Sequence, residues 1–196
     1  NYSAMVTQLA LNSDDMISGS PSTILNGERT LRSGNWRGEW TNIRNVNIFF
    51  ENYRKCTDPF DGYKHYVGEA HFFRAWFYFN MLKTYGDLPW YSKPLQLDSE
   101  TELMKARDPR TLIVDSILVD LDKAALYLKN RSAVGNNTIC KEAALAFKTR
   151  VALYEGTWQK YHAGTPFGTS GANPSKYFQQ CVQAAEELMN GSYSKG

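Results

Sequence analysis

The chain has 196 residues, 42% hydrophobic and 21% charged, and its 22 basic and 20 acidic side chains leave a net charge of +2. These proportions exclude a disordered chain and a lipid-embedded body, and they supply enough apolar surface for one domain or a large part of one. The charges are interspersed with no basic run, so nothing grips a phosphate backbone and no nucleic-acid partner is expected.

The opening NYSAMVTQLALNSDD carries neither a basic segment nor an apolar stretch with a cleavage site, and no window reaches the roughly 18 apolar residues of a membrane span. Because the chain opens on Asn1 rather than Met, a processed or trimmed start is expected. Further along, apolar and aromatic residues recur at three- and four-residue steps with no long alternating run, so the predicted class is all-α. The first helix, over residues 35–54, lines up Trp36, Trp40, Ile43, Val46 or Asn47, and Phe50 on one face. The second, over 62–85, contains HFFRAWFYF. That density needs cover on more than one side, so it is expected to be the central helix, stopped by Gly86 and Pro89.

The third helix, over 109–129, opens on Asp108-Pro109, read as a cap followed by proline. It carries Ile113, Ile117, Leu121, Ala124 and Leu128 on one face, with Asp115, Asp122 and Lys123 on others. The fourth, over 138–160, starts near Thr138 and stacks Ala144, Phe147, Val151, Tyr154 and Trp158, while Ala143, Ala146 and Ala152 admit a close neighbour. The fifth, over 174–190, runs from Asn173-Pro174 to Asn190-Gly191 with a stripe of Phe178, Val182, Ala185 and Met189. No further helix follows that stripe, so it is expected to lie open, and residues 1–196 are expected not to complete the fold unaided. Helices one and two are expected to pair, as are three and four, because RAWFYF is echoed by RVALYE about 76 residues later. The result is a set of stacked antiparallel hairpins of tetratricopeptide-like kind. Two long connections, over 88–107 and 161–171, are candidate functional loops.

Chemistry is sparse. There is no G-x-S-x-G, H-E-x-x-H, P-loop or G-x-G-x-x-G, so no catalytic residue and no cofactor is expected. His65 and Glu69 share a helix face, but His71 points about 200° away from Glu69 at ~100° per residue, so no metal site is expected. Glu69 and Arg74 read as polar groups at the margin of the core. Asp14, Asp15, Asp58, Asp61 and Asp87 are loop carboxylates with nothing to pair them across a cleft. Asp58 and Asp61 in TDPFDG read as turn formers. Cys56, Cys140 and Cys181 are odd in number and far apart, and read as small apolar packing residues with free thiols. Most of the aromatic load, Phe72, Phe73, Trp76, Phe77 and Phe79 above all, reads as core. Trp36, Trp90, Tyr91 and Tyr161 sit at helix edges or in loops, where a ring can stack on a sugar.

The second helix also resembles a known family. GEAHFFRAWFYFNMLKTYGDLPW is similar to the SusD/RagB hallmark, an acidic residue before an aromatic-rich R-A-x-x-Y-x-x-L stretch that ends in Y-G-x-x-P. In the same order, WTNIRNVNIFF, DSILVDLDKAALYL and KEAALAFKTRVALYEGTWQKYH are similar to the family's neighbouring helices, and CVQAAEELMNGSYS resembles the helix that follows. The resemblance implies the N-terminal third of a helical lipoprotein on the outer membrane of Gram-negative bacteria. It implies surface binding of glycans, other oligomeric nutrients or peptides, and their delivery to a SusC-like TonB-dependent transporter, without catalysis. The lipid anchor is expected to lie outside this chain. By the same resemblance the stretch before the first long helix supplies ligand contacts, here Asp14, Asp15, Arg32, Asn35 and Trp36. The alternative is a tetratricopeptide-like scaffold for a protein or peptide partner, with a helical glycosidase third.

Overall fold

The structure is a computed structural model and describes residues 36–96 and 98–191. The architecture below is that of the compact unit Arg37–Gly196, with α1 entering it from Trp36. The long helices are α1 (Trp36–Asn52), α2 (Phe60–Tyr85), α4 (Arg110–Tyr127), α6 (Lys141–Tyr161) and α7 (Pro174–Asn190). Single turns α3 (Glu100–Leu103) and α5 (Arg131–Val134) lie in the connections, and a 3₁₀ turn at Tyr53–Lys55 ends α1. No strand forms among the described residues; one isolated bridge joins Leu88 to Asp108. No described helix is long and apolar enough to cross a membrane.

Helix ends follow from local chemistry, with one correction. Gly86, at φ +72°, stops α2 by donating its N–H to the Leu82 carbonyl at 3.0 Å. At α7, Asn173 accepts from the Lys176 N–H ahead of Pro174, as its sequence predicts. At α4 the expected cap, Asp108, does something else: Oδ2 accepts the Trp90 N–H at 2.7 Å. The orphan N–H of Arg110 instead donates to Asp87 Oδ1 at 2.9 Å. The carboxylate that caps α4 thus comes from the end of α2, a residue 23 positions earlier.

The expected pairing of the third and fourth helices forms, as α4 with α6, but the first and second helices are not close backbone neighbours. The closest backbone neighbours are α2 with α4, α4 with α6 and α6 with α7. Helix α4 is therefore the central one, because Ile113, Val114, Ile117, Leu118, Leu121, Ala124 and Ala125 bury two of its faces. Large rings on α2 hold α6 further off, while α4 comes close. Phe72, Trp76 and Phe79 close around Phe147 of α6 at centroid distances of 5.5, 5.1 and 5.6 Å. Phe73 and Trp76 are each 39% exposed, so the aromatic run is not wholly core. Helix α1 meets α2 through side chains such as Phe50 and Trp40.

Small residues set the close approaches. A Cβ on Gly68 of α2 would stand 2.9 Å from Leu128 Cγ and 3.0 Å from the Leu128 backbone nitrogen. On α7, Tyr177 and Ala184 are the buried residues, while in the predicted stripe Val182 is 53% and Met189 67% exposed and Phe178 and Ala185 are half-buried, so that stripe lies largely open, as expected. All three cysteines are free: Cys140 is buried, Cys181 half-buried, and Cys56 exposed rather than packed.

Two glycine substitutions in α2 should therefore act in opposite directions. Gly62→Ala meets nothing within 4 Å and should stabilise by up to about 1 kcal/mol through helix propensity. Gly68→Ala drives against backbone, and overpacking of about 1–3 kcal/mol should outweigh the same gain. Urea unfolding of both variants checks the pair.

Candidate functional site

Two charged clusters lie inside the helical stack. In the first, Arg74 of α2, 7% exposed, makes a two-pronged contact with Asp120 of α4, Nε to Oδ2 at 2.7 Å and Nη2 to Oδ1 at 2.8 Å. Its Nη1 donates to Asn47 Oδ1 of α1 at 3.0 Å, and its guanidinium lies over the Phe50 and Trp90 rings at 4.4 and 5.3 Å. His71 Nδ1 stands 2.8 Å from Asp120 Oδ1. A carboxylate only accepts, so the shared proton sits on Nδ1. Asn47 passes the network on by donating to the Tyr91 carbonyl at 2.9 Å, and the Tyr78 hydroxyl accepts the Tyr91 N–H at 2.8 Å.

In the second, Arg110 of α4, 5% exposed, donates from Nε to Glu155 Oε2 of α6 at 2.6 Å and lies 4.3 Å from the Trp158 ring centre. Gln159 donates to the other Glu155 oxygen at 2.9 Å and accepts the Asn173 N–H at 2.7 Å, which anchors the start of α7. Arg110 Nη2 is buried with no hydrogen-bond partner.

The two carboxylates respond to burial differently. Burial pushes Asp120 up, but hydrogen bonds from Arg74 and His71 outweigh it and hold the group below its ordinary value. Burial also pushes Glu155 up, and there Arg110 and Gln159 do not overcome it. His71 falls below its ordinary value because burial opposes its charged form more than Asp120 favours it.

Of the sequence-predicted ligand residues, Asp14, Asp15, Arg32 and Asn35 lie outside the described residues, and Trp36 opens α1 half-buried. Trp90 and Tyr91 are absorbed by packing: Trp90 lies 4.2 Å from the Tyr78 ring, and the Tyr91 hydroxyl donates to the Glu102 carbonyl at 2.8 Å. Tyr161 stays 69% exposed. Of the three groups weighed as metal ligands, His65 stands 3.6 Å from Glu69 while His71 turns to Asp120, and no metal-holding group occurs among the described residues. Arg74 is core rather than margin.

Two clefts flank α6 near its C-terminal end. One, of about 630 Å³, runs along Leu153, Tyr154, Trp158, Tyr161 and His162, with His162 stacked on Trp158 at 3.9 Å. The other, of about 540 Å³, lies between the start of α4 and the loop after α6, lined by Asp87, Arg110, Trp158 and Phe167. A third, of about 590 Å³, opens over Arg74, Trp90 and Asp120. Sequence reasoning did not single out Phe167, although its place in the glycine-rich loop was a signal.

This helical stack and its buried arginines can be set beside known proteins. The sequence pattern of the SusD-like family, described as starch-binding and associating with the outer membrane, matches residues 8–153. The chain belongs to the SusD-like family. SusD-like protein P38 of Formosa agariphila is 32% identical over 90 residues, covering 45% of this chain and 17% of P38. A crystal structure of a SusD-like protein from Bacteroides fragilis superposes with a TM-score of 0.65 at 26% identity, over 81% of this chain and 27% of that one. A laminarin-binding SusD-like protein shares the fold, with a TM-score of 0.58 at 18% identity over 80% of this chain and 29% of its own. The chain thus spans less than a third of the length of these SusD-like relatives.

The Arg74 cluster yields a stability prediction. Arg74→Met leaves Asp120 buried without its main partner and should cost about 3–5 kcal/mol in chemical unfolding. For pH, the folded His71 value lies below 6.5, so the unfolded chain takes the proton first. Stability should fall as pH drops from 6.5 toward the folded value, and level off below it. His71→Asn should lower stability at pH 7 and flatten that slope, as thermal melts between pH 5 and 7.5 will show.

Proposed function

We propose that this chain is the N-terminal helical part of a cell-surface protein that binds glycans or other oligomeric nutrients and hands them, uncleaved, to a TonB-dependent outer-membrane transporter. The full protein is held at the membrane by a lipid anchor outside these residues. The observation that carries the reading is the family match over 8–153, which includes the stretch before α1 and the helices behind it. The laminarin-binding relative, which shares this fold, supports carbohydrate as the ligand class.

In this reading the ligand is gripped by Asp14, Asp15, Arg32, Asn35 and Trp36. Asp and Asn oxygens accept sugar hydroxyl protons, Arg32 donates, and the Trp36 ring stacks on a sugar face. Binding without cleavage is supported by how the deepest carboxylates are spent. Asp120 is held by Arg74 and His71, and Glu155 by Arg110 and Gln159. Neither is left free to serve as the acid or the nucleophile of a hydrolytic pair.

The test uses the full-length protein and calorimetry against starch, laminarin and xylan oligosaccharides. A bound oligosaccharide should raise Tm by mass action. Trp36→Ala should weaken binding about tenfold, roughly 1.4 kcal/mol. Product chromatography should show no protein-dependent cleavage. A Trp36→Ala protein that binds as the wild type does overturns the site, and clean cleavage overturns the function.

A further inference from the structure

The cleft between the start of α4 and the loop after α6 holds more than helix packing requires. Its volume of about 540 Å³ is that of a small-ligand site. Arg110 lines it, buried, with Nε taken by Glu155 and Nη2 without an acceptor. A buried guanidinium N–H left unpaired is costly, and such donors are normally completed by a bound oxygen. Asp87, exposed, spends Oδ1 on the Arg110 N–H, which leaves Oδ2 for a hydroxyl donor.

At the same cleft Phe167 is 69% exposed, and the loop holds it there. Its N–H donates to Thr165 Oγ1 at 3.2 Å, and its carbonyl accepts the Trp158 indole N–H at 3.2 Å. Gly168 donates to the Thr165 carbonyl at 2.9 Å where a Cβ would stand 2.7 Å from the His162 carbonyl, so the turn is built around a glycine. These bonds fix the loop backbone, and the ring stands edge-on to His162 at 6.3 Å with most of its surface in the open.

We infer that this cleft is a second carbohydrate subsite, which takes one or two neutral hexose units with the Phe167 ring against a sugar face and with Arg110 and Asp87 on sugar hydroxyls. Charge selects neutral sugar. The Arg110 cation is already matched by Glu155, and Asp87 adds a negative group, so a uronate would be repelled. Thr169 and Ser170 line the same cleft and add uncharged hydroxyls. The inference rests on the carbohydrate-binding reading above but uses none of the residues placed in that site.

The experiment is run on full-length protein carrying Trp36→Ala and 5-fluorotryptophan, with the Trp158 fluorine signal assigned by its loss in Trp158→Phe. Maltoheptaose, laminarihexaose, xylohexaose and trigalacturonate are titrated in turn. At least one neutral oligomer should shift the Trp158 signal saturably, and trigalacturonate should not. Phe167→Ala, a surface change that leaves folding intact, should weaken that binding at least tenfold, and Asp87→Asn at least threefold. If wild type binds a neutral oligomer by calorimetry while the Trp158 signal stays still and Phe167→Ala changes nothing, the subsite is wrong and the primary reading stands. A shift with trigalacturonate alone overturns the ligand class. If wild type binds none of the four, both readings fall.

Discussion

Two arginines taken out of water set the alignment of the helical stack. Arg74 joins α2 to α4 and α1, and Arg110 joins α4 to α6, each with a carboxylate on the next helix and aromatic rings against its guanidinium. Apolar packing supplies cohesion but is indifferent to small slides, since one aliphatic ridge fits many grooves. An ion pair is not. Sliding α4 by one turn, about 5.4 Å, would part Asp120 from Arg74 and Arg110 from Glu155, and leave buried charges unmatched at several kcal/mol each. The register therefore comes from few polar contacts within a large apolar interior.

The two contacts differ in how they respond to acid. Asp120 receives three donors and stays below its ordinary value, so its contribution is present above about 3.8 and is lost only as pH falls through the still lower folded value. Glu155 receives two and is raised, so its contribution runs the other way, fully present below about 4.5 and diminishing as pH rises through the folded value. Moderate acid thus discharges the α4–α6 contact before the α2–α4 contact.

The helical class was legible because three- and four-residue spacing of large apolar groups has no other periodic reading, and family membership followed from the motif on α2. The arrangement of the helices was harder to read. Aromatic density suggested that α2 was central, yet rings such as Phe72 and Trp76 hold a neighbour at a distance, and it is the aliphatic and alanine faces of α4 that allow approach on two sides. Asp120 sits in register with Ile117, Leu121 and Ala124, and Glu155 one step past Val151 and Tyr154; a carboxylate within an apolar stripe was the available sign of a buried partner. Asp87 as the cap of α4 was not legible, because local sequence offered Asp108-Pro109 and only the folded chain brings the end of α2 beside α4. Of the ligand residues, Trp36 alone is described, and what the sequence says of the rest stays a matter of chemistry rather than geometry.

Helix α7 is bound to more than its neighbour in the stack. Tyr177, 2% exposed, donates its hydroxyl to Asp115 of α4 at 3.1 Å, and Lys176 reaches the same carboxylate at 2.7 Å. The lysine contact is about 42% exposed and worth at most about 1 kcal/mol; the buried tyrosine is the firmer anchor. In a one-dimensional repeat array each unit touches only the next. Here α7 reaches past α6 to α4 directly, so opening α7 also strips a partner from α4. Local opening is thereby converted into a cooperative event, and amide protons in α7 should exchange with those of α4 rather than ahead of them.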